Sequence, residues 1–351
     1  MTLGLGILVS CRFQVEGAED AIDEIAGDTL RLDCSPGPAL AHRRRIRLPF
    51  VAERLLTSDD NLLVLAKGGT LHAYDDDSAA WVPVLRGGKD YDARGETLVR
   101  LRRETVDFFR YDSGPRPIFL RSLPAASHDY AVALGDRSLF LHSPANPSNT
   151  LVVERDSRSG ETLASFLHVE RNLLQLVLSD LDAILADAGS VRATGAGFAF
   201  VPHIRDPIEI VRRGRRTVLF LAGRSRGTIR TVSKTTVSQA GDERPCPSCT
   251  ARREVTTRQE VHRLYADATI EGGALWILRL DPPGGGRGSL VRYSLEPEGA
   301  TSIRSWSVEG RGSPIRAMTI WRERIVVADE HTLYTFDLPL EGGVECRNAL
   351  P

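Results

Sequence analysis

The chain has 351 residues, of which 42% are hydrophobic and 26% are charged, and its formal net charge is −1. A chain of this length and composition can bury a large core as one folded unit. The nearly balanced charge provides no overall field that would attract a polyanion. All but three of the 45 basic residues are arginine, but the arginines are dispersed along the chain, whereas nucleic-acid-binding surfaces cluster them. We therefore predict no nucleic-acid partner.

An apolar run from Leu3 to Val9 leads to Cys11 in the sequence Leu-Val-Ser-Cys. This sequence resembles the lipobox of bacterial lipoproteins, whose cysteine is lipidated and becomes the first residue after signal cleavage. The resemblance implies that residues 1–11 are a signal segment, that Cys11 is the lipid-attachment site, and that the protein is anchored in the cell envelope, in the periplasm or at the cell surface. The segment before Cys11 is shorter than an ordinary signal and has no basic residue. The alternative is an ordinary N-terminus on a cytoplasmic protein.

After a polar, acidic tether at 12–45, strand patterns begin at Ile46. Four segments share one form, a hydroxyl residue, leucine, two variable positions and then an aromatic residue or histidine: Thr70 to Asp75, Ser138 to His142, Ser289 to Tyr293 and Thr332 to Asp337. A glycine-rich or charged turn precedes each, with an apolar strand usually upstream, which predicts repeated hairpins. The last two copies start 43 residues apart, which is about the length of one four-stranded propeller blade.

Two segments, Leu151 to Phe166 and Gly197 to Leu221, add further strands separated by turns. Their Asp-x-x-x-Gly turn, as in Asp156 to Gly160, resembles that of the six-bladed propellers related to NHL repeats. The resemblance implies an all-β fold with one propeller over 46–338 and a C-terminal tail at 339–351. At about 40–50 residues per blade this span holds six blades, with seven as the alternative. We expect four-stranded antiparallel blades in a ring closed by joining N- and C-terminal strands.

Two stretches do not fit the blade pattern. Apolar residues between Asn172 and Ala188 fall at helical spacing, which predicts a helical insertion. The second stretch, Ser233 to Gln259, is polar and contains Cys246 and Cys249. Neither has the composition of a domain boundary, so the sequence predicts a single domain.

The cysteines suggest two candidate disulfides. With Cys11 set aside as a lipid site, four remain, an even number that suits an oxidising compartment. Because the two ends of the chain meet in a ring, we expect Cys34 and Cys346 to be joined. Cys246 and Cys249, in a Cys-Pro-Ser-Cys motif, are consistent with a small disulfide, half of a metal site or a redox pair.

No catalytic constellation, phosphate-binding loop or complete metal site is recognisable, so we predict no cofactor, no metal and no catalytic residue. The run Asp75 to Asp77 lacks the alternating ligands of a calcium loop and indicates a solvated turn. The basic turn Arg212 to Arg216 indicates a solvated hairpin tip.

The first hypothesis for function is a non-catalytic binding or scaffold propeller that presents its inter-strand loops to an envelope protein or a glycan. The alternative is a propeller hydrolase or lyase with a metal or carboxylate site at the central axis. The sequence favours the first without deciding whether the protein is an enzyme.

Overall fold

The computed structural model describes residues 27–112, 116–169, 184–185, 187–221, 226–238, 252–295, 303–310, 313–339 and 342–348. Its strands form six blades around a central axis, and each blade contains four antiparallel strands. The prediction of a single β-propeller with six blades is confirmed.

Each blade is a meander that runs from the axis outwards, and the terminal strands β1 (Gly27–Asp33) and β2 (His42–Arg47) join later blades. Blade 1 comprises β3 (Ala52–Ser58), β4 (Asn61–Ala66), β5 (Thr70–Asp75) and β6 (Ala80–Leu85). Blade 2 comprises β7 (Asp90–Arg94), β8 (Thr97–Leu101), β9 (Thr105–Arg110) and β10 (Ile118–Pro124). Blade 3 comprises β11 (Ala131–Leu134), β12 (Ser138–His142), β13 (Thr150–Asp156) and β14 (Thr162–His168).

The second half of the ring follows the same scheme. Blade 4 comprises β15 (Gly189–Thr194), β16 (Gly197–Pro202), β17 (Ile208–Arg212) and β18 (Arg215–Phe220). A separate hairpin, β19 (Thr228–Ser238) and β20 (Arg252–His262), then precedes blade 5, which comprises β21 (Tyr265–Glu271), β22 (Ala274–Leu280), β23 (Arg287–Ser294) and β24 (Ile303–Glu309). Blade 6 comprises β25 (Ala317–Trp321), β26 (Arg324–Ala328), β27 (Thr332–Asp337) and the N-terminal strand β2.

The hydrophobic core is divided into six clusters, one between each pair of neighbouring blades. The inner strands are buried on both faces; all four residues of β11 are buried, as are the last five of β4. This explains why these strands are continuous apolar runs, since each face of a blade packs against the next blade.

The ring is closed by β2, which pairs antiparallel with β27 so that Arg45 lies opposite Tyr334. Of the six residues of β2 only Ile46 is buried. The strand therefore lacks the alternating apolar pattern by which strands are recognised, and the propeller begins at His42, within the segment predicted as a tether.

The first and last described segments of the chain form an outer layer, the terminal belt, consisting of β1, residues 37–40 and the short strands β28 (Val344–Glu345) and β29 (Arg347–Asn348). Strand β1 pairs in parallel with β18 of blade 4, and β28 pairs with β24 of blade 5. The belt is fastened by a Cys34–Cys346 disulfide, whose Cα atoms are 4.4 Å apart. The disulfide lies beside blades 4 and 5, while ring closure itself takes place in blade 6.

The two predicted insertions have different outcomes. Nearly all of the stretch from Asn172 to Ala188 lies outside the described residues. The stretch from Ser233 to Gln259 belongs to the β19–β20 hairpin, whose eleven residue pairs run from Thr228↔His262 to Ser238↔Arg252. None of the described residues forms a helix long and apolar enough to span a bilayer.

Candidate functional site

A cavity of about 790 Å³, here called the axial cavity, opens at one end of the ring axis. It lies on the face where the innermost strands begin, so every blade contributes to its wall through one of these residues: Arg54, Asp90, Ala131, Ser190, Asp267 and Arg316. A smaller cavity of about 240 Å³ lies where the same strands end. The six-fold arrangement of the blades thus creates a polar concave surface that no single segment of the chain could form.

The first half of the cavity floor is a buried cluster of charges from blades 1 and 2. Asp90 and Asp92 alternate on β7, so both carboxylates point towards the axis, while Tyr91 between them is buried in the blade. Arg54 of β3 is bonded to Asp90 and lies 3.4 Å from an oxygen of Asp92. The guanidinium therefore joins the innermost strands of two neighbouring blades.

Each of these carboxylates also accepts a backbone hydrogen bond from the next blade. The amide of Val132 donates to Asp90 Oδ2 at 2.9 Å, and that of Leu134 donates to Asp92 Oδ2 at 2.7 Å. The innermost strand of a blade has no fifth strand to pair with, so an acidic side chain of the neighbouring blade satisfies its amides.

Blades 4, 5 and 6 are joined in the same way through Asp267 of β21. Its Oδ1 lies 2.5 Å from Nη2 of Arg192, and its Oδ2 accepts a bond from the amide of Met318 at 3.3 Å. The Nε of Arg192 also donates to the carbonyl of Ala268 at 2.6 Å. Both Arg192 and Asp267 are buried, so this pair is shielded from solvent.

The electrostatics of the axial cluster reflect burial first. Burial raises the pKa of Asp92, because the charges of Arg54 and Arg192 offset the cost of desolvation only in part. Burial likewise lowers the pKa of Arg192, and the positive charge of Arg54 adds to that effect. The cluster is a structural ion network in which two arginines and three aspartates share one desolvated space.

The cluster determines what chemistry the axis can support. Three carboxylates converge there, as an axial hydrolase site would require, but both oxygens of Asp92 and of Asp267 are engaged by protein donors. Asp90 Oδ2 is shared between Arg54 and Val132. Within the described part of the chain, no group of three or more His, Cys, Asp or Glu side chains could hold a metal ion. Asp92 and Asp267 therefore join the blades through both of their oxygens, and Asp90 does so through Oδ2.

The whole lining of the axial cavity, from the floor to the mouth, carries charges of both signs. Five cationic residues line the cavity, together with five acidic ones: Arg54, Lys67, Lys89, Arg263 and Arg316, and Glu53, Asp90, Glu260, Asp267 and Glu330. The wall thus has no net charge. Glu53 and Lys67 are exposed at the mouth, whereas the ammonium group of Lys89 is held by the carbonyl of Ser127 at 2.8 Å.

His203, which follows β16, is a buried part of the same wall. Burial lowers its pKa well below the ordinary value, and the positive charge of Arg263 lowers it further. Its main chain is anchored on both sides, because its amide donates to Ala188 and its carbonyl accepts from Leu264. His203 is therefore a neutral component of the wall.

The hairpin β19–β20 leaves the ring on the same face, and its last residues, Glu260 to His262, line the cavity. An eleven-residue strand extends roughly 35 Å, so the ribbon is long compared with the cavity it borders. Cys246 and Cys249 are in the connection between its two strands, which lies outside the described residues.

The residues singled out in the sequence have varied locations. Cys11 lies outside the described residues. Asp75 ends β5, and the turn after it is tied to the ring by Asp76, which bonds to Arg44 and Arg322. The basic segment Arg212 to Arg216 forms the turn between β17 and β18. Neither the Asp75 turn nor the Arg212 to Arg216 segment lines the axial cavity.

The axial cluster is not among the sites predicted from the sequence. The sequence does contain one indication of this cluster, namely acidic residues within strands that are otherwise apolar. Asp90 and Asp92 flank a tyrosine, and Asp267 lies between Ala266 and Ala268. Such a charge in a strand with little exposed surface requires a partner. The sequence alone gives no way to match Arg192 with Asp267, 75 positions away.

No family model matches this chain, and no curated protein matches it. Three solved structures are similar to this chain at low sequence identity. U3-55K is 9% identical over 86% of this chain and 100% of that chain, with a TM-score of 0.49. BamB from Moraxella catarrhalis is 12% identical over 87% of this chain and 100% of that chain, with a TM-score of 0.39. The computationally designed Ika8 protein is 10% identical over 81% of this chain and 70% of that chain, with a TM-score of 0.36. At this level of likeness they carry no inference about function.

Proposed function

We propose that this protein is a non-catalytic binding or scaffold propeller of the bacterial cell envelope, tethered by a lipid on Cys11, which holds an envelope protein or a glycan against the mouth of the axial cavity. The proposal rests on a difference between the buried and the exposed charges of the axial cavity. The buried carboxylates and guanidiniums bond to one another and to neighbouring strands, while the exposed groups at the mouth face solvent.

The charges that line the axial cavity favour a partner surface that is itself not strongly charged in one sense. Because the cavity wall carries five cations and five anions, it provides no field that would concentrate a polyanion. A rigid ring that presents cationic hydrogen-bond donors and anionic acceptors suits a protein surface or a hydroxyl-rich glycan. The flanking hairpin β19–β20 adds a second wall to this surface.

The partner surface can be tested by photo-crosslinking in intact cells. A photoreactive amino acid would replace Glu53 or Lys67 at the mouth, and a matched control would replace Arg94, which borders the smaller cavity at the other end of the axis. The proposal predicts a discrete adduct from Glu53 and Lys67 and none from Arg94. An adduct from Arg94 alone, or from none of the three positions, would overturn it.

Envelope location is tested separately. We expect a palmitate analogue to label the full-length protein in cells and the label to be lost in Cys11→Ala but kept in Cys249→Ala. A wild-type protein that stays unlabelled and fractionates with the cytoplasm would refute the lipid anchor, while the crosslinking result would still decide the binding surface.

A further inference from the structure

The outer edges of the six blades are protected unequally. In blades 4 and 5 a fifth strand covers the edge: β1 pairs with β18 through five residues, and β28 pairs with β24. In blade 6 the outermost strand is β2, which carries four arginines, at positions 43, 44, 45 and 47. Charged edge strands discourage pairing with other chains. These three edges are thus either occupied or defended.

Strand β10, at the edge of blade 2, is covered by none of the described strands, and its own edge-breaking features, a register shift at Leu120, Arg121 and Pro124, follow its first two residues. Ile118, Phe119 and Leu120 follow one another on it and are 49%, 57% and 49% exposed. Among the described residues, five of the seven exposed large hydrophobic side chains lie on the outermost strands of blades 1 to 3: Val82, Ile118, Phe119, Leu120 and Leu163. Blades 1 and 3 contribute one each, and in blade 1 the strand also contains Pro83, which cannot donate to a ladder. The concentration on β10 is not explained by the fold.

We propose that the free edge of β10 is a docking site for an extended segment of a partner polypeptide, which adds to blade 2 as a fifth strand. The protein's own rim provides the precedent, because blades 4 and 5 accept β1 and β28 at the corresponding position. Strand addition supplies affinity through main-chain hydrogen bonds, and exposed side chains on alternate positions supply selectivity. This rim site is separate from the mouth of the axial cavity and does not depend on it.

The exposed area argues for a single peptide strand rather than a second copy of this chain. About half of each of three large side chains is exposed, which amounts to roughly 300 Å² if each buries about 200 Å² in full. A stable dimer buries about 800 Å² on each partner. A strand that gains its main-chain bonds along β10 needs less side-chain area.

The surroundings of β10 indicate the composition of the peptide. Arg116 precedes the strand and Arg110 lies opposite Ile118 on β9, and both are exposed. Together with the exposed Asp112 between them, they place a net positive charge at the end where β10 begins. We therefore expect an apolar peptide with an acidic residue at the end that meets these arginines.

The probe is a synthetic peptide of about nine residues with alternating valine and threonine between terminal aspartates. We expect it to bind the full-length protein and to slow amide hydrogen exchange in β10. Asp substitution of the exposed anchors, as Phe119→Asp or separately Ile118→Asp, should weaken binding about tenfold or more. The matched control, Leu163→Asp on the outer strand of blade 3, should change it less than about twofold.

A second peptide with every other amide N-methylated separates strand pairing from general hydrophobic adhesion. It should bind at least about tenfold more weakly, because one edge of its ladder is blocked. Equal binding of the methylated peptide, equal weakening by Leu163→Asp, or no binding at all would overturn the proposal. So would sedimentation of the protein as a dimer that Phe119→Asp dissociates, since a second copy would then occupy the edge.

Discussion

Replacing Arg192 with methionine tests whether the axial ion network holds the blades together. Arg192→Met removes the partner of the buried Asp267 carboxylate and leaves the carbonyl of Ala268 without its 2.6 Å donor. Breaking a buried ion pair by removing one member costs about 3–5 kcal/mol. With an unfolding entropy of roughly 2.1 cal/mol/K per residue over 351 residues, we expect the melting temperature to fall by about 4–7 °C.

Two further variants make the result interpretable in a calorimetric assay. The double variant Arg192→Met with Asp267→Asn removes the stranded charge but keeps an oxygen acceptor for the amide of Met318, so it should recover at least half of the loss. Arg94→Met breaks a surface pair with Asp136 and should cost about 0–1 kcal/mol. If the single and double variants melt together, or if Arg192→Met resembles Arg94→Met, the reasoning about the axis is refuted.

Three other predictions follow from buried or bridged groups. Burial keeps His203 neutral in the fold, while the unfolded chain binds a proton below about pH 6.5. Stability should therefore fall as the pH drops below that value, and His203→Gln should flatten this part of a plot of unfolding free energy against pH. An unchanged slope in His203→Gln would contradict a buried neutral His203. Burial alone would raise the pKa of Asp107, but hydrogen bonds from a serine and an arginine of the flanking strands hold it below its usual value. Its contribution is thus present above about pH 4 and lost on further acidification, so Asp107→Asn should reduce the loss of stability in acid titrations; an unchanged slope would argue against those bonds. Finally, the double substitution Cys34→Ser and Cys346→Ser should lower the free energy of unfolding by about 2–5 kcal/mol in denaturant titrations and accelerate hydrogen exchange in the terminal belt. Equal acceleration in blade 2 would contradict a local effect of the disulfide.

The blade architecture could be predicted because its signal is local. The segments Thr70 to Asp75, Ser289 to Tyr293 and Thr332 to Asp337 all fall on the third strand of a blade, which explains the 43-residue step between the last two. Ser138 to His142 has the same pattern but forms the second strand of blade 3. Second and third strands are both buried between neighbouring blades, so the pattern marks a strand without giving its position in the blade. The longer spacings between the earlier copies therefore join a third strand of one blade to a second strand of another.

What the sequence could not provide is pairing between distant segments. The closing strand β2 was not recognised because its partner β27 is about 290 residues away and its own face is nearly all exposed arginine. The axial cluster was missed for a related reason, since Arg54 and Asp90 lie on different blades and meet only when blades 1 and 2 pack against each other. Local periodicity reports burial on one strand, whereas the candidate site is made where six strands converge.

Native-state hydrogen exchange of the innermost strands tests whether the axial carboxylates join the blades or bind a metal ion. If they join the blades, the amides of Val132, Leu134 and Met318 should be among the slowest to exchange, and calcium or zinc should leave their rates unchanged. Exchange as fast as in the exposed strand β10, or a clear slowing when either metal is added, would contradict this role in joining the blades.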